Sequence, residues 1–136
     1  MKVVDTNVIA YLYLPGEHTP AVERLLLADP DWASPVLWRS EFRNILAGSV
    51  RRGSLTFERA CSIQREAEGL LTGAEYEIES RSVVELARRS RCSAYDCEFV
   101  ALAIDLGTRL VTMDREILRA FPDVAVDVAG AGAGAG

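Results

Sequence analysis

The chain reads as an α/β domain, a parallel sheet with helices on both faces. Three observations predict it. Short apolar runs alternate with longer stretches whose apolar residues recur at helical spacing. Two of the runs, Lys2-Val3-Val4 and Leu110-Val111-Thr112-Met113, close on an aspartate, Asp5 and Asp114. The segment Phe99-Val100-Ala101-Leu102-Ala103-Ile104 is apolar nearly all round, as a helix sandwiched inside a domain must be.

The first strand covers Lys2 to Val4, and Asp5-Thr6-Asn7 turns the chain into a helix through about Tyr13, ended by Pro15-Gly16. Pro20 fits the first turn of a second helix striped by Val22, Leu25 and Leu26, which Asp29-Pro30-Asp31 breaks. A brief strand follows around Trp32-Ala33. Ser34-Pro35, a capping residue before a first-turn proline, predicts the start of a helix that carries Glu41 and runs to Gly53. Ser54 and Thr56 are rival caps for the next helix, with Phe57, Ala60, Ile63, Ala67 and Leu70 before Gly73 stops it. A strand near Tyr76-Glu77-Ile78 precedes a helix with Val83, Val84 and Leu86. Ser93 caps the all-round apolar helix and Gly107 ends it. Arg109 to Thr112 is strand, Asp114 to Phe121 helix, and Val124 to Val128 a last strand. Residues 1–128 thus form one domain, and the alternating Ala-Gly run over 129–136 reads as a flexible end with little side chain to bury.

Composition narrows the function. At 136 residues and 49% apolar, the chain can bury a continuous core, yet no apolar run approaches the ~20 residues that cross a bilayer. The N-terminus has no signal-peptide core, which makes a cytoplasmic address the default and argues against a membrane partner. Cys61, Cys92 and Cys97 are odd in number and form no CxxC pair, and His18 is the single histidine. Neither a disulfide frame nor a zinc site is foreseen. The formal charge is −5, but Arg39 to Arg65 holds six arginines against two acids. Arg39, Arg43, Arg51 and Arg52 are candidate phosphate contacts, and a solvated helix face is the plainer explanation.

Four acids carry the chemistry. Asp5 and Asp114 follow strands; Glu41 and Asp96 stand on helices, Asp96 within Ser93-Ala94-Tyr95-Asp96. In an open parallel sheet, sites form beyond the carboxyl ends of the strands. Carboxylates gathered there repel one another, and a hard divalent cation resolves the conflict. Each acid also has a local explanation. Asp5, Asp114 and the Ser93-x-x-Asp96 box suit helix caps, and Glu41 suits a pair with a nearby arginine. Other acid chemistries fit less well. No lysine follows Lys2, Asn7 stands where a second acid would be needed two residues after Asp5, and no G-x-G-x-x-G follows the first strand.

These segments resemble the PIN-domain ribonucleases, and among them the VapC-type toxins of bacterial toxin–antitoxin pairs. Val3-Val4-Asp5-Thr6-Asn7-Val8-Ile9 is similar to the family's opening motif, and Trp38-Arg39-Ser40-Glu41-Phe42-Arg43 to its acidic helix. Ser93-Ala94-Tyr95-Asp96-Cys97-Glu98-Phe99 is the most specific match, and Leu110-Val111-Thr112-Met113-Asp114 resembles the last motif. The resemblance covers residues 1–128. It implies a three-layer α/β/α fold on a five-stranded, mostly parallel sheet, one or two Mg²⁺ or Mn²⁺ ions, and metal-dependent cleavage of RNA. It makes Asp5, Glu41, Asp96 and Asp114 the metal and catalytic carboxylates, supported by Asn7 and Thr112. It further implies a homodimer and, for a type II toxin, a cognate antitoxin whose terminal segment covers the acidic groove. A PIN-like module that binds RNA or protein without cutting is the alternative. Glu98 points about 200° from Asp96 around its helix and is left out of the set.

Overall fold

Among the described residues five short strands pair entirely in parallel in the order β3-β2-β1-β4-β5: β1 (Lys2–Val4), β2 (Trp32–Pro35), β3 (Glu75–Tyr76), β4 (Leu110–Val111) and β5 (Ala125–Val126). The structure, a computed structural model, describes residues 1–134. Val3 and Val4 are wholly buried, as a strand covered on both faces requires. Val3 lies opposite Ala33 on one side and Leu110 on the other. The chain therefore builds outward through β2 and β3 on one side of β1, and through β4 and β5 on the other. The order reverses between β1 and β4, and the crevice beyond their carboxyl ends is where such sheets place their sites.

Helices cover the sheet: α1 (Thr6–Tyr13), α2 (Thr19–Ala28), α3 (Trp38–Arg51), α4 (Phe57–Leu70), α5 (Ser80–Arg88), α6 (Ala94–Leu106), α7 (Arg115–Ala120) and α8 (Val128–Gly134). The expected α/β/α architecture is what forms. α6 is the helix expected to be sandwiched. It lies against β1, β2 and β4 with α5 alongside, and Phe99, Val100 and Leu102 are buried, each contributing about 1.5–3 kcal/mol. Ser93 Oγ accepts the Asp96 amide at 3.1 Å to start it, and Gly107 ends it in the left-handed conformation (φ 64°) that a side chain would resist. None of the helices among the described residues is long and apolar enough to cross a membrane.

Three elements depart from the expected ones. Ser34-Pro35 do not launch α3; they end β2. Ser34 Oγ donates to the Val4 carbonyl at 2.6 Å and its amide to Ala74 O at 3.1 Å, so this residue knits three strands together. α3 begins at Trp38 without a side-chain cap. Between the rival caps of α4, Thr56 wins, accepting the Arg59 amide at 3.1 Å, while Ser54 Oγ bonds back to Ser49 O.

The last strand is shorter than expected, and the Ala-Gly run through Gly134 is helical in place of a flexible end. Val128 and Ala131 are buried, and α8 packs on α2. Asp127 Oδ1 takes the Gly130 amide at 2.7 Å. A methyl group on Gly130 would meet Val126 Cγ2 at 2.7 Å, so the bare backbone is what permits this close approach. Residues 135–136 of the expected tail lie outside the described residues.

Candidate functional site

Asp5 sits at the switch point because its amide donates to Val111 O at 2.9 Å, fixing the end of β1 beside β4. Its carboxylate both caps a helix and faces the crevice. Oδ1 accepts the Thr6 amide at 2.7 Å, starting α1, and Oδ2 accepts the Thr112 hydroxyl at 2.7 Å. Asp5 is only 7% exposed. Burial pushes its carboxyl up to about 7; the two hydrogen bonds pull it back, and the charges of Glu41 and Asp96 push it further.

The neighbours are tied to it through threonine hydroxyls. Thr112, wholly buried, donates to Asp5 and accepts the Asp114 amide at 3.0 Å. Thr6 donates its hydroxyl to Glu41 Oε1 at 2.7 Å. Hydrogen bonds thus run from the end of β4, through the start of α1, to the first turn of α3. Asp114 Oδ1 caps α7 by accepting the Glu116 and Ile117 amides at 2.9 and 3.1 Å. Asn7 Oδ1 accepts the Met113 amide at 3.3 Å. It ties α1 to the chain leaving β4 and, among the described residues, bonds no carboxylate.

Glu41 and Asp96 complete the set, each half-buried. Burial is the main reason both carboxyls rise. Asp96 and Glu98 add to the rise of Glu41; Asp114 and Glu116 add to that of Asp96. The four sequence-derived acids therefore share one electrostatic neighbourhood with Asp96 at its centre. Two more acids join it. Glu98 is separated from Asp96 around α6, but it stands near enough to Glu41 to raise it. The helical period measures angle on one helix only and is silent about what a second helix brings to the other side. Glu116 lies two residues beyond Asp114 and acts on Asp96; that proximity was the available signal.

Among the described residues none of these six acids is in an ion pair. A divalent charge is what would return a buried, raised carboxyl such as Asp5 to its ionised form, and oxygen donors suit a hard cation. The donor chemistry fits Mg²⁺ or Mn²⁺. The side chains are not closed up, however: among the described residues no three acids, cysteines or histidines are gathered tightly enough to hold an ion as they stand.

The four candidate phosphate contacts lie along α3 and at its C-terminal cap. Arg39 is half-buried, and its fork is held by Glu75 (Nε to Oε2 at 2.6 Å, Nη2 to Oε1 at 2.7 Å), with Nη1 on Glu68 at 3.1 Å. With the Trp38 indole, which donates to Glu75 at 2.8 Å, it fastens the start of α3 to β3. Arg43 and Arg51 line a groove of about 550 Å³ between α3 and α4, over Leu46, Val50, Phe57 and Ala60. Arg52 Nη2 donates to Ser49 Oγ at 3.3 Å at the end of α3. Along α3, Arg39 and Arg43 stand two residues to either side of Glu41, and Arg51 lies about 15 Å from it. Trp32 and Trp38 are core residues.

Comparison with known proteins agrees with this fold. The PIN domain family matches residues 2–123. Ribonuclease VapC3 of Pyrobaculum aerophilum is 30% identical over 123 residues, covering 88% of this chain and 94% of that protein. Two crystal structures share the fold. That of PAE2754 from Pyrobaculum aerophilum has a TM-score of 0.79 at 21% identity, covering 98% of this chain and 95% of the other. That of FitAcB from Neisseria gonorrhoeae has a TM-score of 0.70 at 20% identity, covering 93% and 96%. The chain belongs to the PIN-domain family, among its VapC-type members.

Proposed function

We propose that this chain is a Mg²⁺- or Mn²⁺-dependent endoribonuclease and the toxin of a type II toxin–antitoxin pair. One observation carries the metal-dependent reading: a buried Asp5, raised to about 7, among five further acids, none of them in an ion pair among the described residues. The likeness to a protein named as a ribonuclease supports RNA as the substrate. In this reading Asp5, Glu41, Asp96 and Asp114 hold the ion. When bound, it supplies Lewis-acid polarisation of a phosphodiester and lowers the pKa of water. Thr6 and Thr112 fix the Glu41 and Asp5 carboxylates in place, and Asn7 holds the end of β4 against α1. A cognate antitoxin, a homodimer and a cytoplasmic setting accompany the VapC-type reading.

The test is cleavage of a mixed RNA panel in Mg²⁺, Mn²⁺ and EDTA, beside Asp96→Asn. Cutting that needs metal and disappears in the variant supports the reading; cutting that survives Asp96→Asn overturns the site. A second reading, a PIN-like module that binds RNA or protein without cutting, is favoured by the open spacing of the acids. It predicts RNA binding unchanged by EDTA, with no affinity for Mn²⁺.

A further inference from the structure

We propose that Arg91 and Arg119 form a phosphate-binding subsite that holds the RNA backbone beside the carboxylates. The inference rests on the ribonuclease reading and deepens it. The two arginines flank a cleft of about 210 Å³ lined also by Cys92, Glu116 and Ala120. Arg91 lies in the segment leading to Ser93, the cap of α6, and Arg119 on α7 one turn beyond Glu116. The cleft's walls are therefore the segment that leads into α6, whose first turn carries Asp96, and α7, which Asp114 caps. Its buried residue, Cys92, feels their charge: burial raises its thiol first, with smaller contributions from Cys97, Asp96 and Asp114.

Polyanion chemistry requires such a feature. An edge bearing six acids repels a phosphodiester chain, and a cation at the reaction centre offsets this only locally. Neighbouring phosphates need their own positive partners, and the guanidinium fork suits them. Most arginines that touch other groups are committed elsewhere. Arg39, Arg59 and Arg88 are ion-paired, and Arg109 donates to the carbonyls of Val124, Pro122 and Ala125. Arg91 and Arg119 are exposed and, among the described residues, make no ion pair or side-chain hydrogen bond. Glu116 in the same cleft opposes a phosphate, which gives the subsite a substitution of opposite sign.

The experiment measures binding of a short mixed-sequence single-stranded RNA pool by fluorescence anisotropy in EDTA, over a series of salt concentrations. Melting temperature and cleavage in Mn²⁺ are followed in parallel. Arg91→Ala with Arg119→Ala is expected to weaken binding about tenfold and flatten the salt slope by about 0.7 per arginine. It should raise KM about tenfold and leave kcat and melting temperature unchanged. The double lysine variant should recover most of the salt slope, Glu116→Gln should tighten binding, and Arg24→Ala, on α2, should change little. Wild-type affinity and slope in the double alanine variant would overturn the subsite while leaving a cutting enzyme intact. A fall in kcat at constant KM would overturn it too. A wild-type protein that neither binds nor cuts the RNA would defeat the ribonuclease reading and the subsite with it.

Discussion

The crevice at the β1–β4 switch point and the groove between α3 and α4 carry opposite charge and satisfy it differently. In the crevice, carboxylates are held by threonine hydroxyls and backbone amides, with no ion pair among the described residues. In the groove, Arg43, Arg51 and Arg65 rim an apolar floor, and Phe57 is 66% exposed. The groove holds about 550 Å³, but its floor is apolar and carries no carboxylate. Volume marks where something can lie; fixed, unneutralised oxygen donors mark where an ion can be held and a bond cut.

The largest expected effect separates the two regions by rate. Asp96→Asn should reduce metal-dependent RNA cleavage about 100-fold or more, whereas Phe57→Ala should leave it within about twofold. An equal loss in both would dissolve the contrast.

Asp5→Asn is expected to remove activity and, with metal absent, to stabilise the fold at alkaline pH. The folded carboxyl titrates near 7 against 3.8 when unperturbed. Its contribution to stability is therefore full below about pH 4 and is lost as pH rises to about 7, because the unfolded chain releases the proton first. Asparagine still caps α1 and carries no charge to bury. Thermal melts in EDTA should show a gain on the order of 2–4 kcal/mol at pH 8, and little gain at pH 4. The same ionisations should make Mn²⁺ affinity, measured by calorimetry, rise between about pH 5 and pH 7. An affinity flat with pH would remove Asp5, Glu41 and Asp96 from the ligand set.

Thr112→Val keeps the shape and deletes the hydroxyl shared by Asp5 and the Asp114 amide. A loss of about 1–3 kcal/mol is expected in denaturant titrations at pH 5, with the metal-affinity curve moved to higher pH because a bond that favours the ionised Asp5 is gone. The smallest effect belongs to the groove. Arg43→Ala with Arg51→Ala should change KM for RNA less than about threefold, with kcat untouched. A tenfold rise would bring the groove into the substrate's path.

Much of this was legible in the sequence, for identifiable reasons. Asp5 and Asp114 announced themselves because a parallel strand followed by an acid places that acid on the one edge where such sheets build sites. Asp96 was read correctly as a first-turn residue because Ser93 caps by a rule local to four residues. The misplaced start of α3 arose because Ser34-Pro35 satisfies the same local rule, while Ser34's actual partners, Val4 and Ala74, are distant in sequence. The partners of Arg39 were hidden for the same reason: Glu75 and Glu68 reach it only once α3, β3 and α4 are packed. Glu98 escaped because its neighbour Glu41 belongs to another helix. The helix through the Ala-Gly run was not legible in composition, since small residues carry no pattern, and only close approach to Val126 and α2 shows what they permit.

The two threonine bridges have one more consequence. Thr112 joins the end of β4 to Asp5, and Thr6 joins Asp5's helix to α3, so segments from widely separated parts of the chain are laced through buried or half-buried groups. A local opening that frees any one of them strips a partner from the next. The amide protons of Asp5, Thr112 and Asp114 should therefore exchange with solvent through one shared opening, at one common free energy, and behave as a single cooperative unit.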